Sequence, residues 1–198
     1  STPPPSGLYR VDLDGAGPKQ AFVTRCQMDR DGGGWTLAVV SSDDGQDTWT
    51  WARRDRWTTD TAPIGSAGML NQDYKNAALH ELIYRDVLFI HVPSTVWVTY
   101  TGVGDGSGSF SDTLAGAPVP NCEPTSGYAK TAGSLLATGD LCNTDLYLHP
   151  GDYDGSQIRC PTLLTVGITD DSTFGPAWSA SNNQSCPFDD PADTAMGP

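Results

Sequence analysis

Nearly every acidic residue of this chain is an aspartate, and this feature constrains the fold more than any other. Of 24 acidic residues, only Glu81 and Glu123 are glutamates. Glutamate favours helices, whereas the short aspartate side chain competes with helical hydrogen bonds and favours turns. Glycine and proline, which interrupt regular structure, number 22 and 15 among 198 residues. The sequence therefore excludes a helical bundle and predicts a loop-rich fold with short elements.

The charge of the chain excludes two classes of partner. The formal net charge is −13, and the one basic cluster comprises Arg53, Arg54 and Arg56. Such a surface repels nucleic-acid phosphates and anionic lipid headgroups. The longest apolar run, residues 87–90, is far shorter than the roughly 18 residues that a membrane-spanning helix needs. We expect no nucleic-acid partner and no membrane insertion.

The length predicts one domain with its own hydrophobic core. Residues 1–6 are rich in proline and are predicted to be a linker, followed by a single domain over residues 7–198.

The cysteines are scattered and contain no Cys-x-x-Cys pair, which argues against zinc and thioredoxin chemistry. Their distribution favours an oxidising, extracellular compartment, the alternative being buried free thiols in a cytosolic protein. Because their number is odd, one is unpaired. We expect this to be the isolated one near the start of the chain, and we expect the four after Asn121 to be bonded among themselves. The five are Cys26, Cys122, Cys142, Cys160 and Cys186.

Runs of β-branched and apolar residues predict the strands. The periodicity of apolar residues over 69–84 predicts a helix, and residues 134–138 a short second one. We expect loops at 102–111 and irregular structure after residue 169. The predicted strands cover residues 8–12, 21–28, 35–40, 86–92, 96–101 and 161–168.

Two motifs resemble the signature of fibrinogen-like domains. Residues 22–29, Phe-Val-Thr-Arg-Cys-Gln-Met-Asp, lead into residues 31–37, Asp-Gly-Gly-Gly-Trp-Thr-Leu, and residues 6–9 are similar to the opening strand of that family. Asp-Tyr-Lys-Asn at 73–76 and His-Val-Pro at 91–93 narrow the resemblance to the intelectin (X-type lectin) branch and its bacterial relatives. The match covers roughly residues 7–93. Beyond them it rests on residues 175–178, Asn182, Asn183 and Cys186.

The resemblance implies an α+β fold. Its parts are a twisted, mainly antiparallel sheet, few short helices and a loop-rich C-terminal region that binds calcium. In that family the cysteine matching Cys26 is bonded to one upstream of the opening strand, which here would precede Ser1. Family members also close on a hydrophobic C-terminal strand, whereas residues 195–198 end a polar stretch. We therefore expect the chain to be a fragment or processed form that lacks its last strand.

Residues 41–47 place three carboxylates beside a glycine turn. Calcium takes six to eight oxygen ligands from such bent loops, although an exposed polar turn has the same composition. The resemblance to intelectins implies a structural calcium shared by this loop and the acid of the 73–76 motif. The family's His-Glu-Asn is Ser-Asp-Asp in this chain. The implied candidates are Ser42 through its carbonyl, Asp43, Asp44, Asp47, Asp55 and Asp73.

A second oxygen-rich stretch lies near the C-terminus. The intelectin resemblance implies a calcium here whose waters are displaced by vicinal hydroxyls of a glycan, clasped by aromatic side chains. The alternative is a solvated acidic tail. The candidate metal ligands are Asp170, Asp171, Asn183, Asp189 and Asp190, and the candidate ligand-binding residues are Asn182, Asn183, Trp178 and Phe188.

Other patterns indicate structure more than chemistry. The Asp-x-Asp-Gly motifs at 12–15 and 152–155 are expected to be plain turns. Trp49, Trp51 and Trp57 could form a stacking face but are expected in the core. No Gly-x-Ser-x-Gly or His-Glu-x-x-His motif occurs, and the three histidines are scattered, so we expect no enzyme.

The sequence thus predicts a secreted, calcium-dependent carbohydrate-binding module that recognises exposed diols of glycans or cell-surface polysaccharide. The alternative is a non-enzymatic structural or adhesive subunit of an extracellular assembly. It would associate with copies of itself or with an assembly partner, and calcium would only stabilise its loops.

Overall fold

The computed structural model describes residues 2, 4–42, 44–46, 48–49, 53, 55–92, 95–116, 128–129, 131–133, 147–152, 163–168 and 175–179. The helix predicted at 134–138, and Cys122, Cys142, Cys160 and Cys186, lie outside these residues.

The first sheet contains the glycine-rich motif. It comprises β1 (Gly7–Val11), β2 (Phe22–Gln27) and β3 (Trp35–Thr36), all antiparallel and in that order. The turn before β3 requires glycine at position 33, where φ is +76° and a Cβ atom would lie 2.3 Å from the Met28 carbonyl oxygen. The strands predicted at 8–12 and 21–28 are confirmed.

The strand predicted at 35–40 is two strands in different sheets. After β3, the Leu37 N–H donates to the Arg25 carbonyl, and the chain then forms β4 (Val39–Val40). This strand pairs with β5 (Tyr74–Lys75) in a two-stranded antiparallel sheet. Residues 37–38 belong to neither strand, so the continuous strand prediction is wrong there.

The helix predicted at 69–84 is wrong over most of its length. Residues 74–75 form β5, and the backbone groups of Lys75 exchange hydrogen bonds with Ile64 on the side away from β4. Only α2 (Ala78–Glu81) is helical. Pairing on both edges of β5 outweighs the helical periodicity because tertiary contacts routinely override local preference.

The remaining strands form two further sheets. In one, β6 (Val87–His91), β7 (Val96–Tyr100) and β9 (Ala132–Gly133) are antiparallel. The other has the order β12-β11-β10-β8, with β8 Tyr128–Ala129, β10 Tyr147–Asp152, β11 Leu163–Ile168 and β12 Gly175–Ser179. Its β10–β11 pair is parallel. The strands predicted at 86–92, 96–101 and 161–168 are confirmed, whereas β12 contradicts the irregular structure predicted after 169.

The described part of the chain contains three short helices: α1 (Asp55–Thr58), α2 and α3 (Phe110–Gly116). The sequence prediction missed α3. Ser109 caps it, since its Oγ accepts from the Asp112 N–H at 3.2 Å while Asp112 Oδ2 accepts from the Ser109 N–H at 2.8 Å. The class is α+β, as predicted, but the described strands form four small sheets and not one central sheet.

Two of the three tryptophans that were expected in the core, Trp49 and Trp57, are buried. Trp49 and Trp57 are each 1% exposed, with ring centroids 4.8 Å apart, and Trp51 lies outside the described residues. Within the described part, none of the helices is long and apolar enough to cross a membrane.

Tyr100 on β7 offers a test of this packing. The side chain is fully buried against Phe89, and its hydroxyl has no hydrogen-bond partner in the described part of the chain. Because an unpartnered buried polar group costs free energy, Tyr100→Phe should raise the free energy of unfolding by about 1 kcal/mol. Urea denaturation measures this. The control is Tyr84→Phe, which removes the 2.6 Å hydrogen bond to Thr113 and should destabilise. A loss of stability in Tyr100→Phe would contradict the prediction.

Candidate functional site

Four consecutive polar residues, Asp73, Tyr74, Lys75 and Asn76, are buried side by side. We call them the 73–76 segment. Their exposed fractions are 5%, 4%, 0% and 4%. Burial of polar groups costs free energy unless they are hydrogen-bonded. Each of the four side chains accordingly binds another part of the fold.

The end of this segment attaches to the first sheet. The Asn76 amide Nδ2 lies 2.9 Å from Thr24 Oγ1 on β2 and 2.8 Å from the Leu37 carbonyl, both acceptors. Its Oδ1 accepts from the Ala78 N–H at 2.8 Å and so satisfies a free donor at the start of α2. The Tyr74 hydroxyl donates to the Val23 carbonyl at 3.2 Å.

Lys75 attaches the segment to α1. Its ammonium donates to the carbonyls of Arg56, at 2.9 Å, and of Asp60. Both carbonyls lie near the end of a four-residue helix, where backbone acceptors lack helical partners. Burial lowers the pKa of the Lys75 ammonium, and the charges of Asp60 and Asp55 oppose this shift.

Asp73 organises the loop of residues 41–49. Its Oδ1 accepts from the Ser42 N–H at 2.9 Å and from the Trp49 indole N–H at 3.0 Å. Its own N–H donates to Asp44 Oδ2 at 3.0 Å, while Asp44 Oδ1 accepts from the Gln46 N–H at 2.9 Å. One carboxylate therefore holds both ends of the loop, and a second lies beside it.

The other oxygen of Asp73 is buried without a hydrogen-bond partner in the described part of the chain. Burial raises the pKa of the Asp73 carboxyl, and the Asp44 charge adds to the rise. Part of this rise in pKa is offset by three neighbouring donors, the Thr48 hydroxyl, the Ser42 amide and the Trp49 indole. Because the folded-state pKa is raised, the ionised carboxylate opposes folding above that pKa. Protonation at lower pH or a bound cation would remove this cost.

The structure brings together three of the residues predicted as calcium ligands: Ser42, Asp44 and Asp73. Ser42 contacts Asp73 through its backbone N–H, whereas the sequence predicted a role for its carbonyl. Asp55 is exposed at the start of α1, with no hydrogen bond to Asp44 or Asp73 among those of the described residues, and its charge acts on Lys75. Asp43 and Asp47 lie outside the described residues.

The described donor set fits calcium in part. Two carboxylates, one of which has an open oxygen, are the chemistry that a hard cation prefers. Among the described residues, however, no group of three or more His, Cys, Asp or Glu side chains is arranged to hold a metal ion.

Most residues of the second predicted cluster fall outside the described part of the chain. Only Trp178 is placed, in β12, where its backbone pairs with Leu164 of β11. The others are Asp170, Asp171, Asn182, Asn183, Phe188, Asp189 and Asp190.

The sequence prediction missed two residues that define the site, Trp49 and Lys75. The sequence signal for Lys75 was its position between the polar residues Tyr74 and Asn76, in a segment that apolar residues follow. Such a position is unusual for an exposed lysine. Cys26 is free and buried in the structure, and burial raises the pKa of its thiol.

No protein-family model matches the chain. The chain is similar to part of a fibrinogen chain. Over 153 residues it is 32% identical to the fibrinogen alpha-2 chain of Petromyzon marinus. The matched residues make up 74% of this chain and 21% of that protein. It thus spans about a fifth of the length of the curated relative that it matches. This similarity supports a fibrinogen-like domain, and the narrower intelectin resemblance rests on the sequence motifs alone.

Proposed function

We propose that this chain is a secreted, fibrinogen-like, calcium-dependent carbohydrate-binding module that recognises exposed diols of glycans or cell-surface polysaccharide. The single observation behind its calcium dependence is the buried Asp73 carboxylate, which has an unpartnered Oδ2 and lies beside Asp44. A cation there would compensate two neighbouring negative charges. It would also fix the loop that both carboxylates hold.

Asp73 Oδ2 and Asp44 would hold this calcium. Each Asp44 oxygen already accepts one N–H, but a carboxylate oxygen has a second lone pair that can face a cation. Asp43, Asp47 and the Ser42 carbonyl, which belong to the same loop, would supply further oxygens. Calcium requires this many because it takes six to eight.

The carbohydrate-binding part of the proposal is supported by the intelectin-like motifs and by the oxygen-rich residues at 170–190. A second calcium on Asn183 and the nearby aspartates would exchange its waters for two vicinal hydroxyls. Trp178 and Phe188 would contact the sugar ring, since aromatic faces commonly bind carbon-rich surfaces with polar edges.

The alternative, a structural or adhesive subunit, needs only the calcium at Asp73. Asp73 is only 5% exposed, so an ion bound to it has little room to contact an external sugar. Calcium at this position would then serve only to stabilise the loop, and the partners would be copies of the chain or another protein of the assembly.

Calcium is expected to stabilise the wild-type protein through Asp73. At 100 times its dissociation constant, calcium should add about 2.7 kcal/mol to the free energy of unfolding. Asp73→Asn keeps an acceptor for the Ser42 and Trp49 donors but removes the charge. It should therefore melt at a higher temperature than wild type in EDTA and show no calcium shift. Thermal melting with and without calcium measures both effects.

The control for this experiment is Asp86→Asn, an exposed aspartate that likewise accepts a backbone N–H, from Gly102 at 2.9 Å. It should keep the full calcium response. An undiminished response in Asp73→Asn would refute the proposed site.

Glycan binding distinguishes the two functions. The lectin proposal expects a glycan-array signal in calcium that disappears in EDTA and in Asn183→Ala. Stabilisation by calcium with no binding to any glycan would favour the structural subunit.

A further inference from the structure

His80, which is half-buried, connects the helices α1, α2 and α3. Its Nδ1 lies 2.9 Å from Ser111 Oγ on α3, and Ser111 Oγ donates to the Thr58 carbonyl at the end of α1 at 2.8 Å. A hydroxyl has one hydrogen, so the serine accepts from the imidazole. Neutral His80 therefore carries its proton on Nδ1, and Nε2 is left with a lone pair.

The Nε2 atom is buried and has no hydrogen-bond partner in the described part of the chain. The Arg56 backbone favours the protonated imidazole, but its carbonyl already accepts from the Lys75 ammonium at 2.9 Å. A proton on Nε2 would compete with Lys75 for this acceptor and would place a second positive charge beside it.

We propose that His80 is an acid-sensitive link that holds α1 against α2 and α3 when neutral and weakens this attachment when protonated. None of the hydrogen bonds of this link involves Asp44 or Asp73.

Charged groups around His80 determine the direction of the effect. Burial first, and then the Lys75 charge, lowers the pKa of the imidazole, whereas Asp60 and Asp112 oppose the shift. Both carboxylates are already engaged, Asp60 with the Ala62 N–H and Asp112 with Ser109. On α2 itself, Glu81 forms an ion pair with Lys19 at 3.5 Å.

The sign follows from proton linkage. Because the folded-state pKa of His80 is lowered, its contribution to stability is full above the unfolded value of about 6.5. As the pH falls below this value, the unfolded state binds the proton first. The folding equilibrium constant then drops by up to about tenfold per pH unit.

Loosening of α1 would extend into the neighbouring loop. The Arg56 guanidinium donates to the Thr48 carbonyl at 2.6 Å, and Trp57 packs on Trp49. Acid should therefore expose the amides at the end of α1. The Thr59 and Asp60 N–H groups, which donate to the Asp55 carbonyl, report this opening.

The test combines denaturation with NMR between pH 7.5 and 5.0. His80→Gln should show a smaller fall in the folding equilibrium constant than wild type. His149→Gln, which removes a different histidine, tests whether the change is specific to His80. In the wild type, hydrogen exchange at Thr59 and Asp60, corrected for intrinsic rates, should accelerate below pH 6. An unchanged slope in His80→Gln overturns the proposal.

If His80→Gln does not fold, the titration of the imidazole in the wild-type protein decides. A midpoint below that of a free histidine supports the link, and a midpoint at or above it overturns the proposal.

Discussion

Replacing Gly65 by alanine is expected to lower the free energy of unfolding by about 3 kcal/mol or more. Gly65 has a φ of +65°, and a Cβ atom there would lie 2.2 Å from the Asp73 carbonyl oxygen. This backbone cannot easily move away, because Ile64 and Lys75 exchange hydrogen bonds of 2.9 and 3.0 Å beside it. The substitution would therefore separate the 60–66 segment from β5. Urea denaturation measures the loss.

The matched control is Gly15→Ala. Gly15 has the same φ of +65°, but a Cβ atom there would meet nothing within 4 Å. The Gly15→Ala variant has the same backbone strain but no steric clash, so it should lower the free energy of unfolding by only about 1 kcal/mol. The difference between the two variants isolates the steric contact, and equal losses would show that Gly65 does not approach Asp73 as described.

Lys75→Met is expected to lower the free energy of unfolding by about 2–5 kcal/mol, because it leaves two half-buried carbonyls without their donor. Methionine fills a similar volume, so packing changes little and the loss reports the hydrogen bonds of the ammonium to Arg56 and Asp60. The amides at the end of α1 should also exchange faster in this variant. Chemical denaturation and hydrogen exchange measure the two effects.

The same substitution at Lys19 provides the control. Lys19 is largely exposed and pairs with Glu81 at 3.5 Å. Exposed ion pairs contribute at most about 1 kcal/mol, so Lys19→Met should change stability little. If both variants were equally stable, the buried ammonium would not be holding α1.

The sequence was most informative where local patterns and tertiary contacts agree. Strands β1, β2, β6 and β7 follow their runs of apolar and β-branched residues, and each pairs with a sequence neighbour. The helix prediction at 69–84 was wrong because apolar spacing describes only the face of an isolated helix. In the structure, β5 pairs with β4 and with Ile64. Such partners are distant in sequence, and periodicity carries no information about them. The sequence does contain the Ser109-x-x-Asp112 capping pattern of α3. It lies at the end of a glycine-rich stretch, which predicts a loop.

The candidate site, like the fold, was predictable from the sequence only in part. Ser42, Asp44 and Asp73 were predicted to meet, on the strength of family resemblance, and the structure places them together. The contribution of Trp49 was not predictable, since its indole reaches Asp73 across 24 positions of sequence. Which atoms of Asp73 are occupied and which are open depends on three-dimensional geometry alone.

The hydrogen bonds of the 73–76 side chains have a consequence for the order of events during synthesis. Apart from Ala78, the partners outside the segment come earlier in the chain, from Val23 to Asp60. Chains are made from the N-terminus, and the first sheet, the 41–49 loop and α1 therefore emerge before the segment that binds them. They remain incomplete until residue 76 has left the ribosome. A pause in translation before that point would expose these unfinished parts, including two tryptophans, to chaperones and proteases.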